Sequence, residues 1–320
     1  MKIGIIGYAG SGKTSFSTLL SGKKVETFDP HHPAVVAAKI IDLRLQGLVE
    51  KVQTEKTTPP ETTLLDFKAA PREAGFDEKV LSIFGEVDFI IMVVDGFSGD
   101  ARPASDLSSL QLEFIYHDEE RIAVLEKKRE AEVRHGHRKP NLMEDSALKK
   151  ALTSLDGEIP LRLMEQDLQT KAFLASLGLV SSKKALVLFN GMEAPADFSG
   201  AAGKLGLTVV CFDLLTQGSP GELFSFWQTL LSAAELITFY TTSQSETRAW
   251  LLPKGSSALE AAGKVHSDFA RGFIKAEVVN FADFQKAGSL AACREKGFLK
   301  LEGREYRVVD GDILKIRFAT

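Results

Sequence analysis

The chain has 320 residues, of which 44% are apolar, and this length suffices for two or three domains with buried cores. Its net charge of −4 argues against a protein that coats nucleic acid through bulk electrostatic attraction. Cys211 and Cys293 fall in different predicted domains, so they suggest no disulfide framework and fit a reducing compartment. No apolar run is long enough to cross a bilayer, and we expect a cytoplasmic protein without a membrane partner.

A glycine-rich motif follows the first predicted strand. Gly7 to Thr14 reads Gly-Tyr-Ala-Gly-Ser-Gly-Lys-Thr and matches the phosphate-loop pattern G-x-x-x-x-G-K-T. Glycines let the loop amides converge on one anion at a helix N-terminus, where Lys13 would reach the β- and γ-phosphates and the Thr14 hydroxyl would ligate Mg²⁺. The motif therefore predicts that the protein binds a nucleotide. The predicted phosphate-binding residues are Tyr8, Ala9, Gly10, Ser11, Gly12, Lys13, Thr14 and Ser15.

Short apolar runs and amphipathic stretches alternate over the first hundred residues. The runs Ile3–Ile6, Thr63–Leu65 and Phe89–Val94 are typical of a parallel sheet built from βαβ units. From Ser105 to Arg134 apolar residues recur at helical spacing among many charges, and Ala147–Leu155 repeats this pattern after a break. This predicts an antiparallel helical hairpin that projects from the nucleotide domain.

The sheet pattern resumes after the hairpin. Ala185–Phe189 and Leu207–Phe212 are strand-like, and from Leu236 onward short β-rich runs alternate with turns. We therefore predict an α/β protein: a P-loop NTPase sheet with an inserted antiparallel helical hairpin, followed by a β-grasp domain. The predicted boundaries are 1–104 and 165–235 for the nucleotide-binding domain, 105–164 for the hairpin and 236–320 for the β-grasp domain.

The C-terminal sequence resembles a known family. Glu246 to Trp250, Ala261 to Phe269, Arg271 to Glu277 and Glu302 to Ile313 are similar to the TGS-type domain that closes YchF-type, Obg-related P-loop NTPases. The similarity is close over residues 236–320 and looser over the phosphate loop and the hairpin. The resemblance implies a Mg²⁺-dependent nucleotide switch, with slow hydrolysis of ATP and/or GTP and a link to the ribosome.

The family resemblance also assigns a base-recognition element. Asn190-Gly191-Met192-Glu193 follows a predicted strand and fits N-x-x-E, which replaces the N-K-x-D of guanine-specific relatives. With Glu at the last position and Gly where Lys would stand, adenine becomes admissible beside guanine. The nucleotide-binding residues implied here are Asn190, Gly191, Met192 and Glu193.

The metal and catalytic assignments rest on the segment Asp66-Phe67-Lys68-Ala69, which stands where the family has D-x-x-G. The resemblance makes Thr14 and Asp66 the Mg²⁺ partners, and Lys13 and Asp66 the catalytic pair. Asp95 is a rival, because it ends a longer apolar strand and would bring the chain nearer to P-loop ATPases or kinases.

Several positions depart from the family pattern. Ala69 replaces the switch glycine, Gly10 stands where relatives carry Asn, and Ala70 occupies the place of a water-orienting Gln, although that apolar identity is itself a family trait. No Mg²⁺-binding Thr can be assigned in Thr27 to Pro33, and no Ser-Ala element follows Phe212.

Two functions remain open at this point. One is a slow NTPase, and the other is a nucleotide-binding scaffold without turnover that docks to the ribosome or RNA through the hairpin and the β-grasp domain. Basic residues of that domain would face phosphates or simply lie in solvent. They are Arg248, Arg271, Lys275, Lys300, Arg304 and Arg317.

Overall fold

The computed structural model describes residues 1–25, 32–67, 69–137 and 139–319. Its strands are β1 (Lys2–Ile6), β2 (Ala34–Lys39), β3 (Lys56–Thr58), β4 (Glu61–Asp66), β5 (Phe89–Asp95), β6 (Lys184–Asn190), β7 (Thr208–Cys211), β8 (Leu236–Thr242), β9 (Glu246–Pro253), β10 (Phe273–Asn280), β11 (Lys300–Glu302) and β12 (Asp312–Phe318). Its α-helices are α1 (Lys13–Ser21), α2 (Leu43–Val52), α3 (Glu78–Phe84), α4 (Pro103–Arg134), α5 (Leu142–Asp156), α6 (Leu168–Ser176), α7 (Ala196–Lys204), α8 (Pro220–Ala233), α9 (Ala258–Val265), α10 (Ser267–Arg271), α11 (Phe281–Ala287) and α12 (Leu290–Glu295).

The chain divides into two compact units. The first comprises Met1–Ala38 and Thr62–Gly218, and the second comprises Lys39–Glu61 and Ser219–Thr320. None of the helices in the described ranges combines the length and apolar character needed to cross a membrane.

The first unit is built on a six-stranded sheet in the order β2-β4-β1-β5-β6-β7. Strands β4, β1, β5, β6 and β7 run parallel, with Ile5 opposite Asp66 and Asp95 opposite Asn190. All seven residues of β5 are buried, as expected for a strand covered on both faces. The predicted P-loop sheet is confirmed, and the carboxyl ends of its parallel strands meet at one edge.

The inserted hairpin consists of α4 and α5. Arg129, late in α4, pairs with Glu144, early in α5, so the two helices run antiparallel as predicted. Proline occupies the first position of α4, and Asn141 caps α5 by accepting a hydrogen bond from the Glu144 N–H. Apolar residues of the hairpin form one cluster with three leucines that follow α5: Ile115, Ile122, Ala147, Leu148, Ala151, Leu155, Leu161, Leu174 and Leu179.

The start of α4 belongs to a different core. Leu107, Leu110 and Phe114 pack with β5 and β6 in the main cluster of the first unit. The same helix therefore packs against the sheet at its start and continues into the hairpin.

The second unit contains a mixed sheet in the order β11-β10-β12-β8-β9-β3. Helix α9, which begins with a capping box between Ser257 and Glu260, packs on one face. Residues of α2, α11 and α12 cover part of the other face. The predicted β-grasp domain is confirmed, and β3 extends its sheet by pairing parallel to β9.

Residues 39–61 and 219–235 fall within the predicted nucleotide-binding domain but group with the second unit. Asp42 caps α2 by accepting from the Arg44 N–H at 3.0 Å, and it accepts from the Tyr240 hydroxyl at 2.6 Å. The Arg44 guanidinium binds both Asp42 and Asp310. Because Tyr240 and Asp310 lie about 200 or more residues from Asp42 and Arg44, local sequence patterns do not reveal these contacts.

Candidate nucleotide-binding site

The phosphate loop connects β1 to α1. Gly10 and Gly12 have φ values of 84° and 96°, in the left-handed region that favours glycine. No side chain among the described residues caps α1, so its first N–H groups are available to an anion. A Cβ on Gly7 would lie 2.4 Å from the Val93 carbonyl oxygen, which makes glycine necessary there. The loop thus has the shape that phosphate binding requires.

Lys13 and Asp66 are buried beside this loop. Lys13 is 4% exposed and Asp66 is fully buried. Neither carboxylate oxygen of Asp66 accepts a hydrogen bond from the described part of the chain. Burial raises the pKa of Asp66, and the smaller influences of the Thr14 hydroxyl, the Lys13 charge and the Ser17 hydroxyl oppose this shift. Burial also lowers the pKa of Lys13 to about 8, although the Asp66 charge opposes it.

These residues fit a Mg²⁺ ion that arrives with a nucleotide. Within the described ranges, no three His, Cys, Asp or Glu side chains gather into a metal-binding group. Mg²⁺ needs no such cage, because it commonly uses one or two protein ligands, substrate phosphates and water. A buried carboxylate with two unpaired oxygens, next to the Thr14 hydroxyl, supplies suitable oxygen donors.

Asp95, the rival metal partner, is already engaged. It accepts hydrogen bonds from the N–H groups of Phe97 at 3.1 Å and Ser98 at 3.2 Å, and from the Ser98 hydroxyl. These contacts close the turn after β5. The geometry therefore favours Asp66 over Asp95 as the group that a metal would complete.

Asn190 joins two loops at the carboxyl edge of the sheet. Its amide donates to the Ser11 carbonyl oxygen at 3.0 Å and accepts from the Leu214 N–H at 3.3 Å. A Cβ on Gly12 would lie 2.5 Å from the Asn190 Nδ2 atom, so the amide is packed closely against the phosphate loop. Gly191 is buried, whereas Met192 and Glu193 are exposed at the same edge.

Comparisons with known proteins agree with this architecture. The family model YchF-GTPase_C, described as "Protein of unknown function (DUF933)", matches residues 236–319. The chain is 32% identical to the ribosome-binding ATPase YchF of Bacillus subtilis (strain 168), over 98% of each sequence. The chain belongs to the YchF family. It is also 27% identical to Obg-like ATPase 1 of Xenopus laevis, over all of this chain and 93% of that protein.

A solved structure supports the fold of this YchF-family chain. The Schizosaccharomyces pombe YchF GTPase superposes with a TM-score of 0.79 at 23% identity, covering 99% of this chain and 97% of that one. The resemblance noted in the sequence, and the fold class that it implied, are confirmed.

The YchF-family chain also places residues at the site that sequence patterns missed. The connection after β7 folds back on itself: the Asp213 N–H donates to Gln217 at 2.8 Å, and the Thr216 hydroxyl donates to Asp213 at 2.7 Å. Phe97 and Leu215, which the sequence patterns did not indicate, are large exposed apolar side chains, as is the predicted Met192. They follow the adjacent strands β5, β7 and β6 in turn, and this common position is the signal that could have identified Phe97 and Leu215.

The segment after Asp66 contacts the phosphate loop directly. The Ala9 N–H donates to the Ala70 carbonyl oxygen at 3.0 Å, and Tyr8 and Ala70 form a parallel bridge. Lys68 lies outside the described residues, and so does the part of the segment Thr27 to Pro33 that ends at position 31.

Proposed function

We propose that this YchF-family chain is a Mg²⁺-dependent nucleotide hydrolase that accepts ATP and/or GTP and turns over slowly. The observation that carries this proposal is the buried Asp66 carboxylate, whose two oxygens accept no hydrogen bond from the described chain, although Lys13 and the Thr14 hydroxyl lie near it. Such a group is costly unless something completes it. The ATPase and GTPase names of the relatives support the same reaction class.

Each residue of the site has a defined role in this proposal. The Lys13 ammonium and the loop amides hold the β- and γ-phosphates, and Thr14 with Asp66 holds the metal. Mg²⁺ supplies neutralisation of phosphate charge. Ala70 offers no side chain to orient water, and its carbonyl oxygen already accepts from Ala9. We therefore expect slow turnover, because Ala70 stands where a glutamine would align the attacking water.

The base lies at the edge formed by the loops after β6 and β7. Asn190 holds these loops together through Ser11 and Leu214. Gly191, Met192 and Glu193 line the β6 side, where Met192 and Glu193 are exposed. A purine face can pack on exposed apolar side chains, and this favours neither adenine nor guanine. Both nucleotides are therefore expected to bind.

The test is calorimetric titration of ATP and GTP with and without Mg²⁺, followed by phosphate release on the same samples. We expect Mg²⁺-dependent binding and slow release that Lys13→Ala abolishes. Binding without release above the Lys13→Ala background would favour the second candidate, a scaffold that does not hydrolyse. The Ala9–Ala70 hydrogen bond favours that candidate, since it ties the segment after Asp66 to the loop. Failure to bind either nucleotide would overturn both.

We further propose that the second unit docks to ribosomal RNA through one face of its sheet. Lys275 lies opposite Arg317, and Glu277 lies opposite Lys315, on adjacent strands β10 and β12. Like charges directly opposite each other destabilise a sheet. The Glu277 carboxylate compensates Arg317, and a bound phosphate would compensate Lys275. The relatives named ribosome-binding support this partner.

Glu277 organises this basic face. Burial would raise its pKa, but the Arg317 hydrogen bond and the charges of Arg317 and Arg294 lower it, so Glu277 stays ionised and orients both guanidinium groups. The other predicted basic residues do not all join them. Arg248 lies 4.1 Å from the centre of the Trp250 ring, and Arg271 pairs with Asp268.

Co-sedimentation with purified ribosomes over a range of salt concentrations tests the face. We expect the double variant Lys275→Glu/Lys315→Glu to bind more weakly and with a shallower salt dependence, because two phosphate contacts are lost. Lys254→Glu/Lys264→Glu, two exposed lysines of the same unit, is the matched control. If both double variants bound ribosomes with the same affinity and the same salt dependence, this face would be excluded as the docking surface.

A further inference from the structure

One carboxylate of α4 contacts two separate segments of the candidate site. Glu113 accepts a hydrogen bond from the Tyr8 hydroxyl at 2.8 Å and from the Phe76 N–H at 2.7 Å. Tyr8 is a phosphate-loop residue, and Phe76 belongs to the segment that follows Asp66. Burial and the hydrogen bond to Glu113 raise the pKa of the Tyr8 phenol, so it stays protonated and donates.

An ion pair also attaches the same segment to α4. Arg72 binds Asp106 through two hydrogen bonds, of 2.8 Å and 2.9 Å. Asp106 precedes Glu113 by about two helical turns. The bidentate geometry fixes both the position and the orientation of the guanidinium. The segment between Ala70 and Phe76 is therefore held on α4 at two points and on the phosphate loop at a third, through Ala9.

Helix α4 continues from this contact into the hairpin. Glu113 is followed directly by Phe114, in the core of the sheet, and then by Ile115, in the hairpin cluster. A continuous helix transmits displacement along its axis because each turn is hydrogen-bonded to the next. A movement of the hairpin at this level therefore acts on the phosphate loop and on the segment after Asp66 together.

We propose that Tyr8 and Glu113 are positioning residues that couple the γ-phosphate of a bound nucleotide to the hairpin. This inference rests on the proposed nucleotide-binding function. It requires that ATP, more than ADP, changes the state of α4, and that a partner on the hairpin changes ATP affinity by the same factor. Coupling of this kind amounts to about fivefold or more in affinity.

The Tyr8 hydroxyl can be removed without removing its ring. The Tyr8 and Phe76 rings pack at 5.5 Å between centres, and Tyr8→Phe keeps this packing. The experiment uses the full chain and compares Tyr8→Phe and Glu113→Gln with the unaltered protein. Calorimetry gives the affinities for ATP and ADP, and hydrogen–deuterium exchange gives the response of α4 to each nucleotide. Tyr116→Phe and Glu120→Gln, at exposed positions of the same helix, are the matched controls.

We expect both variants to lower the ratio of ATP to ADP affinity by about fivefold and to lose the ATP-induced exchange change in α4. The double variant should be no worse than either single variant, because both remove one link. Equal loss of ATP and ADP affinity, or an unchanged α4 response, would show a merely structural hydrogen bond and overturn the inference alone. Absence of nucleotide binding by the unaltered chain would overturn the proposed function, and the coupling with it.

Discussion

Two buried aspartates, one in each unit, differ in the hydrogen bonds that their carboxylates accept. Asp42 is 5% exposed and accepts hydrogen bonds from the Arg44 backbone, the Arg44 guanidinium and the Tyr240 hydroxyl. Asp66 is fully buried, and neither of its oxygens accepts a hydrogen bond from a described residue. An unsatisfied buried carboxylate needs an explanation, and a bound ion is one that fits a residue beside a phosphate loop.

Other buried aspartates of the first unit accept hydrogen bonds, so the difference concerns Asp66 and not the whole unit. Asp118, buried on α4, accepts from the N–H groups of Val180 at 2.8 Å and Ser181 at 2.7 Å. Asp95 is likewise paired with the turn that follows it. Asp95 and Asp118 are therefore satisfied, and Asp66 differs from them because neither of its oxygens accepts a hydrogen bond from a described residue.

Removal of Asp42 should produce the largest change. Asp42→Ala leaves the Arg44 guanidinium with less compensation and the Tyr240 hydroxyl without its acceptor, and we expect a loss of about 3–5 kcal/mol in the free energy of unfolding. Urea unfolding monitored by circular dichroism gives this value. A loss below about 1 kcal/mol would show that the network contributes little and that the comparison fails.

Asp66→Asn should affect activity and stability in opposite directions. A raised carboxyl pKa means that the folded state binds the proton more tightly than the unfolded state, so at neutral pH the ionised form destabilises the fold. The variant should therefore unfold at equal or higher urea concentration without nucleotide. Its Mg²⁺-dependent phosphate release should fall by about 10- to 100-fold. Reduced stability with normal release would assign Asp66 to the core alone.

The pKa of Lys13 predicts a pH dependence of binding. With its pKa lowered to about 8, Lys13 loses its proton above that pH in the free protein, and the phosphates must restore it. ATP affinity should therefore fall by up to about tenfold for each pH unit above 8, with proton uptake on binding. Calorimetry in buffers of different ionisation enthalpy measures this uptake. Lys13→Arg should remove the dependence, because arginine stays protonated.

The smallest effect is expected at Asp95. Asp95→Asn retains an acceptor for the turn after β5 and should cost about 1 kcal/mol in unfolding free energy. Phosphate release should change by less than about threefold, since no step of the proposed mechanism uses this side chain. A larger fall than that of Asp66→Asn, measured side by side, would reverse the assignment of the two aspartates.

The sequence predicted the fold because its signals are local. The phosphate-loop pattern, the strand runs and the helical spacing of the hairpin each lie within a few turns of chain. Such patterns do not show whether a buried carboxylate is satisfied. Asp66 and Asp95 both end apolar strands, but the backbone after Asp95 turns back and donates the N–H groups of Phe97 and Ser98 to it, whereas neither oxygen of Asp66 accepts a hydrogen bond from a described residue. The attachment of residues 39–61 to the second unit depends on Tyr240 and Asp310.

The length of α4 determines how far a tilt at Glu113 would displace the hairpin tip. The 21 residues from Glu113 to Arg134 span about 32 Å, at roughly 1.5 Å per residue. A tilt of about 5° at Glu113 would therefore move the far end of the helix by about 3 Å, close to one hydrogen-bond length. If the coupling through Glu113 operates, a small tilt of the straight helix beside the phosphate loop would therefore be enough to make or break a contact at the hairpin tip.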